Sequence, residues 1–157
     1  MPATLTVLYD EDCGFCRATL ALLLRWDVRR ALLPEAIQSP AGQELLRELA
    51  PDDRLASAHV VFADGRVASG GDAVAPIARV LPAGAPVALL ASALAAPTRL
   101  GYRWVARNRI ALSRGVPQRF KRDAAAAIAR HRAEVLAGGG GPSVRQAARR
   151  ERDTAAT

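Results

Sequence analysis

Sulfur and histidine are scarce in this 157-residue sequence, which has two cysteines, one methionine and two histidines. The cysteines, Cys13 and Cys16, form a single C-x-x-C motif. A closed structural zinc site needs four ligands, but the two histidines, His59 and His131, lie in unrelated segments without paired spacing. The motif therefore supplies at most half of a zinc site. A pair of inert buried cysteines is a second alternative to redox chemistry.

A secretory signal and a long apolar run are also missing. The first residues, "MPATLTVLYDED", have no basic segment and no apolar run before the first acids. The most apolar later stretch, "GAPVALLASALAAP" over 84–97, is too short to span a bilayer. The sequence favours a cytoplasmic location. In that reducing compartment, a C-x-x-C pair that serves only as a structural disulfide is disfavoured.

Lysine is nearly absent, since 21 of the 22 basic residues are arginine, and the formal net charge of +7 is unevenly distributed. Residues 1–98 carry 8 basic and 11 acidic residues, a net charge of −3, whereas residues 99–157 carry 14 basic and 4 acidic residues, a net charge of +10. The second part can attract an acidic partner, a nucleic acid or an anionic membrane surface. In the basic extension from residue 118 onward, Phe120 is the only aromatic residue, which weakens the case for nucleic-acid binding.

Apolar periodicity and turn residues predict an α/β domain with a thioredoxin-like core of order β-α-β-α-β-β-α and additional C-terminal helices. In chain order we predict a strand over 4–9, a helix over 13–26 and a strand over 29–33 ended by Pro34. A second helix is predicted from the N-cap Ser39 to about Ala50, where Pro51 stops it. A hairpin over 59–71, turning at Asp64-Gly65, and a helix capped by Asp72 follow. The position of the C-x-x-C motif, between the first strand and the first helix, agrees with that order.

The rest of the chain is predicted to be helical and then disordered. Residues 85–114 have helical composition with breaks at Pro86 and Pro97, and four glycines end the structure after a last helix. The predicted units are a thioredoxin-like domain over 1–117, a basic helical extension over 118–137 and a disordered tail over 138–157.

The two cysteines differ in their predicted surroundings. Cys13 lies in the first helical turn, where unpaired N–H groups and the positive end of the helix dipole favour a thiolate. Cys16 lies one turn deeper, in line with Leu20 and Leu23, and is expected to be more buried. Residues three apart on a helix face the same side, within reach of a disulfide. We therefore predict that Cys13 attacks a disulfide and that Cys16 resolves the mixed disulfide.

Asp10 ends the predicted strand below the motif, where its carboxylate can take a proton from Cys16 during resolution. Arg103, Arg107, Asn108 and Arg109 recur at near-helical spacing. One interpretation is functional: they bind an anionic substrate, or they hold Asp10. The other is structural, in which they pack the last helices on the core through caps and salt bridges, and we favour this second interpretation.

Three further side chains are given structural roles. Trp26 and Trp104 are expected in the core, and a structural role at the start of a strand is favoured for His59. Asp72, which is predicted to cap a helix, is a weaker candidate for substrate contact.

Several segments together resemble the DCC family of thiol-disulfide oxidoreductases, formerly a domain of unknown function. The family pattern Asp-x-x-Cys-x-x-Cys is met by Asp10, Cys13 and Cys16 in "YDEDCGFC". The similar segments are "IQSPAGQ" (37–43), "DGRVASGGDAV" (64–74) and "YRWVARNR" (102–109), and the resemblance covers about 4–112.

The resemblance implies a thioredoxin-like fold and a redox role. It implies no cofactor beyond the redox-active disulfide. The implied substrate is a disulfide-containing protein or a low-molecular-weight thiol, and the resemblance does not identify the reductant. Thioredoxins place a cis-proline just before the strand that faces the motif, and this chain has "ASAH" (56–59) there. The alternative to an enzyme is an adaptor of the same fold that docks an acidic partner through its Arg-rich C-terminal region, with a redox-sensing or vestigial cysteine pair.

Overall fold

A four-stranded mixed sheet forms the centre of the computed structural model, which describes residues 5–138. The strands are β1 (Leu5–Tyr9), β2 (Leu32–Ala36), β3 (His59–Val61) and β4 (Val67–Ser69), in the order β2-β1-β3-β4. Strand β1 is parallel to β2 and antiparallel to β3, and β3 pairs with β4 as an antiparallel hairpin.

Helices cover both faces of the sheet and continue beyond it. They are α1 (Gly14–Trp26), α2 (Pro40–Leu45), α3 (Pro51–Ala56), α4 (Val74–Val80), α5 (Ala85–Ala93), α6 (Ala95–Arg114) and α7 (Gln118–Ala137), with a 3-10 turn over Gly70–Ala73 before α4. The chain order therefore contains the predicted β-α-β-α-β-β-α core followed by additional helices. The α/β, thioredoxin-like fold predicted from the sequence is confirmed.

The alternating side chains of β1 build two apolar cores, one on each face of the sheet. Leu5 and Val7 pack with Leu20 and Leu24 of α1 on one face. Leu8 points to the other face, where it packs with residues that include Ile37. Burial of one such side chain stabilises the fold by about 1.5–3 kcal/mol. Because β1 is buried on both faces, the loop that follows it has a rigid base.

Helix α7 packs against α1 and β2, although its sequence reads as a polar, basic extension. Its buried residues are Ala124, Ile128, His131 and Val135, which recur at intervals of four, three and four residues. That spacing places them on one stripe of the helix. Ala124 and Ile128 belong to the same core as β1 and α1. The predicted tail lies outside the described residues beyond Gly138.

Pro34 does not end the second strand, contrary to the prediction, but lies in its middle, opposite Val7. The backbone N–H of Leu5 donates to the carbonyl of Ala31, and the N–H of Ile37 donates to the carbonyl of Tyr9. In the segment 31–37, the backbone N–H and C=O groups of the odd-numbered residues therefore point towards β1. Since β2 is the edge strand, the missing N–H of Pro34 falls on the side without a neighbouring strand, where proline is tolerated.

The helix predicted to run to Ala50 is also wrong, because the chain forms two short helices there. Ser39 caps α2 as predicted, with its Oγ accepting the N–H of Gly42 at 2.9 Å, but α2 ends at Leu45. Pro51 then starts α3 at a first-turn position, where its missing N–H costs no hydrogen bond.

Three further side-chain expectations fail. Asp72 does not cap a helix, since it lies inside the 3-10 turn and pairs with Arg99 at 2.7 Å. The two tryptophans are not core residues: Trp26 is 42% exposed at the last position of α1 and Trp104 is 62% exposed on α6. Helix α6 has no buried residue, so an aromatic residue on its outer face has nothing to cover it.

Candidate active site

Cys13 and Cys16 lie at the start of α1, directly after the loop that leaves β1. Their Cα atoms are 5.2 Å apart and their sulfur atoms are at disulfide distance, within the range that a disulfide requires. Cys13 is the N-cap of α1, with an extended backbone, and its Sγ accepts the backbone N–H of Cys16 at 3.2 Å. Both cysteines are partly buried. The N-cap position, more than burial, distinguishes the two sulfur atoms.

Asp10 shapes the loop before the motif. Its Oδ1 accepts the backbone N–H of Asp12 at 3.0 Å and the side-chain amide of Gln38 at 2.7 Å. Its backbone carbonyl accepts the N–H of Cys13 at 3.3 Å. The Asp10 side chain is only 13% exposed. In the described part of the chain, neither cysteine sulfur is among its hydrogen-bond partners.

The arginine-rich segment of α6 reaches this loop through one residue. Arg109 places its Nη1 3.7 Å from Asp10 Oδ2 and also donates to the carbonyl of Leu55 at 2.7 Å. Arg107 is exposed and points elsewhere, because two residues on a helix are about 200° apart. The Asn108 side chain bonds the carbonyl of Trp104 in its own helix. The structure thus brings Arg109 to Asp10, but not Arg107 or Asn108.

The candidate Asp72 is tied to the far end of α6. Its partner, Arg99, lies ten residues before Arg109, or about 15 Å along the helix axis. The ion pair is about half exposed on both sides, and such pairs contribute little to stability.

Helices α6 and α7 close one side of the motif at Gly14. A Cβ added to Gly14 would lie 2.8 Å from Cδ and Cε of Lys121 and 3.0 Å from Oγ of Ser113. A glycine between the two cysteines therefore lets these helices approach the motif closely. Lys121, the only lysine in the chain, lays its aliphatic stem against the C-x-x-C backbone.

Comparison with known proteins adds to this geometry. The family model of the DCC1-like thiol-disulfide oxidoreductases matches residues 7–115. The chain belongs to this family. The match runs from within β1 to just past the end of α6 and includes the cysteine pair, Asp10 and Arg109, while α7 lies outside it. No curated protein and no solved structure matches the chain.

The DCC1-like domain uses an ordinary backbone where thioredoxins have their cis-proline. No cis peptide bond occurs among residues 5–138. The N–H of Ala58 donates to the hydroxyl of Tyr102 at 2.8 Å, and its carbonyl accepts the N–H of Gly70 at 2.9 Å. Both backbone groups of Ala58 are thus paired within the domain. This position has no free backbone group to offer an extended substrate.

His59 is held in a structural role by β3 and its neighbours. It is 1% exposed, and its ring nitrogens lie 2.8 Å from Ser69 Oγ and 2.9 Å from the carbonyl of Arg54. Burial lowers the pKa of His59, and the bond to the Arg54 carbonyl and the charge of Asp53 oppose that effect. The neutral ring, with Nε2–H donating to Arg54, satisfies both contacts.

Two contacts of the DCC1-like site were not foreseen from the sequence. Gln38 bonds Asp10 and also accepts the N–H of Glu11 at 3.2 Å through its side-chain oxygen. Its place in the family-like segment "IQSPAGQ" was a usable signal. Lys121 is distinguished only as the one lysine among 21 arginines.

No group of three or more His, Cys, Asp or Glu side chains among residues 5–138 is placed to hold a metal ion. Of the helices in the same range, none combines the length and the apolar composition that crossing a bilayer requires.

Proposed function

We propose that this DCC1-like protein is a cytoplasmic thiol-disulfide oxidoreductase in which Cys13 is the attacking residue and Cys16 the resolving residue. One observation carries the assignment of roles: the N-cap Sγ of Cys13 accepts the backbone N–H of Cys16. The same N–H and the helix dipole stabilise negative charge on Cys13 once the disulfide is reduced. Cys16, inside the helix, has no comparable group directed at its sulfur in the described residues.

The reaction follows from thiol-disulfide exchange. The Cys13 thiolate attacks one sulfur of a substrate disulfide, forms a mixed disulfide and releases the other sulfur as a thiolate. Cys16 then loses its proton and attacks Sγ of Cys13, releasing the second substrate thiol. The substrate gains two electrons and the protein is left with the Cys13–Cys16 disulfide. A second dithiol, or two thiol molecules, must reduce that disulfide before the next turnover.

Two groups around the motif are suited to assist. The stem of Lys121 lies against Gly14, which brings a cationic side chain next to the cysteine pair, and nearby cations favour a thiolate. Asp10, pinned by Gln38 and Arg109, is proposed to take the proton of Cys16 directly or through one water molecule.

The proposal is tested by trapping. In a Cys16→Ser variant incubated with a disulfide substrate, the mixed disulfide on Cys13 is expected to accumulate, because the resolving thiol is missing. Mass spectrometry of the intact protein and of its peptides locates the adduct. The matched control, Cys13→Ser, is expected to accumulate far less.

Equal trapping by both variants would remove the distinction between the two cysteines. Absence of adducts in both, with disulfides of several sizes, would leave a cysteine pair without exchange activity and favour the adaptor alternative.

A further inference from the structure

A pocket of about 280 Å³ opens one helical turn from Cys13. It lies between the start of α1, the edge strand β2 and helix α7, and its charged lining consists of Glu11, Arg17, Glu35 and Arg132. Its size suits a single amino-acid moiety better than a folded protein segment, since sites for drug-sized ligands begin at about 300 Å³.

Arg132 and Glu35 neutralise one another and form the outer wall of this pocket. Arg132 Nη1 pairs with Glu35 Oε2 and also donates to the carbonyl of Pro34 at 2.9 Å. The other carboxylate oxygen of Glu35 accepts the hydroxyl of Ser39 at 2.7 Å. Both carboxylate oxygens of Glu35 are therefore used within the fold, and the charge of Arg132 is neutralised by Glu35.

Arg17 has no such partner. Its Nε is buried without a hydrogen bond, and the guanidinium makes no ion pair with any residue in the described range. Burying an arginine nitrogen without a hydrogen bond is costly, and a carboxylate is the best partner of a guanidinium. Glu11, also without an ion pair among the described residues, adds an anionic group to the same pocket. Since Arg132 and Glu35 pair with each other, the guanidinium of Arg17 and the carboxylate of Glu11 are the charged groups of the pocket left to bind a ligand.

The position of Arg17 links the pocket to the reactive sulfur. Arg17 follows Cys13 by four residues on α1, and its N–H bonds the Cys13 carbonyl at 3.0 Å. Side chains four apart on a helix lie on one face, about 6 Å from each other, and long side chains lean towards the helix N-terminus. A thiol compound of two or three residues, about 10 Å long, can reach from Sγ of Cys13 into the pocket.

We propose that this pocket binds the zwitterionic amino-acid end of a low-molecular-weight thiol or disulfide, with its carboxylate on Arg17 and its ammonium group on Glu11. The inference rests on the proposed exchange activity and names the substrate class of that site. The paired backbone of Ala58 agrees with it, because an extended polypeptide finds no free backbone group there.

The binding test uses S-methylglutathione, which carries an amino-acid end but no reactive thiol. Isothermal titration is expected to show saturable binding to the native protein. The variants Arg17→Gln and Glu11→Gln are each expected to weaken it about tenfold or more, the effect of losing one charged hydrogen bond. The diethyl ester, with both carboxylates blocked, is expected not to bind.

Arg25→Gln is the matched control, because Arg25 is exposed on the same helix, undergoes the same charge change and does not line the pocket. It is expected to bind as the native protein does. No binding to the native protein, or equal binding by Arg17→Gln and Arg25→Gln, overturns the proposal.

A kinetic test separates this inference from the proposed function. The rate of exchange with glutathione disulfide is compared with that for 2-hydroxyethyl disulfide, which has no charged groups. In Arg17→Gln the ratio of the two rates is expected to fall about tenfold. If the native protein binds S-methylglutathione but exchanges neither disulfide, the binding site stands and the oxidoreductase proposal fails. If it exchanges both disulfides with an unchanged ratio in Arg17→Gln, the reverse holds.

Discussion

At the scale of single residues, the proposed role of Asp10 as proton acceptor for Cys16 can be tested directly. Its hydrogen bonds to Asp12 and Gln38 use Oδ1 and are compatible with an asparagine, whereas the contact with Arg109 depends on charge. Asp10→Asn therefore removes the proposed proton acceptor and keeps most of the loop geometry. We expect decay of a preformed mixed disulfide on Cys13 to slow about 100-fold or more, the lower range for general-base help.

Three measurements check this prediction at the level of one residue: the decay rate, the alkylation rate of Cys13 and the melting temperature. Only the decay rate is expected to change strongly. Asp12→Asn is the control, since it makes the same charge change two residues away on an exposed side chain. Normal decay with a large drop in melting temperature would make Asp10 a structural residue.

At the scale of elements, helix α7 is held to the sheet by a buried polar contact. His131 is 5% exposed, and its Nε2 lies 3.0 Å from the carbonyl of Leu32 and 3.2 Å from Asp27 Oδ2. Asp27, fully buried, accepts the N–H groups of Ala31 and Leu32. One imidazole thus connects α7, the turn after α1 and the edge strand.

We predict that His131→Leu lowers the free energy of unfolding by about 1–3 kcal/mol, the cost of leaving a buried acceptor without its donor. Equilibrium denaturation in urea gives this value. Arg130→Ala, on the exposed neighbouring position of the same helix, is expected to change it by less than about 0.5 kcal/mol. Equal stabilities of His131→Leu and the native protein would show that α7 docks without this contact.

The same scale shows which elements a sequence can predict. The strand β1, the Ser39 cap and the bounds of α7 follow from local patterns, and the structure has all three. The predictions that Pro34 ends a strand and that Pro51 stops a helix were wrong for one reason. Proline removes a single backbone N–H donor, and this loss alone does not prevent a strand or a helix from forming. Whether that loss matters depends on the sheet edge or the helix turn where it falls.

The candidate site was only partly predictable for a related reason. Cys13 and Cys16 are only three residues apart in sequence, and the C-x-x-C motif is typical of redox or metal sites. Gln38, Lys121 and the pairing of Arg109 with Asp10 arise from contacts 27 to 107 residues apart. Of these, only Gln38 had a signal in the sequence, its place in the segment "IQSPAGQ". The choice of Arg109 over Arg107 required the orientation of α6.

Across the whole molecule, the excess positive charge of the second part of the chain lies largely on the surface. In α6 and the start of α7, the side chains of Arg103, Arg107, Arg114, Arg119 and Arg122 are exposed. Docking of an acidic partner on this basic region stays a prediction. It is treated separately from the exchange chemistry, since among the described residues Arg109 is the α6 arginine that forms an ion pair with the loop before the cysteine pair.

His59, a buried group in the sheet, is expected to contribute to the pH dependence of global stability near neutrality. In the folded protein, burial lowers the pKa of His59 below its ordinary value. In the unfolded chain this ring titrates at about 6.5. Below that pH the unfolded chain takes up a proton that the folded protein resists, so the unfolded state is favoured as the pH falls.

We therefore predict that the free energy of unfolding decreases as pH is lowered from about 6.5 towards the folded pKa of His59, by up to about 1.4 kcal/mol per pH unit for this one proton. Above pH 6.5, stability from this source is fully present. Urea denaturation at a series of pH values between 5 and 8 measures the slope for the native protein and for His59→Gln, whose amide can still donate to the Arg54 carbonyl. His131 and the carboxylates are common to both proteins, so the difference between the two slopes isolates His59. A smaller slope in His59→Gln is the expected result, and parallel curves would show that His59 keeps the same pKa in the folded and unfolded states.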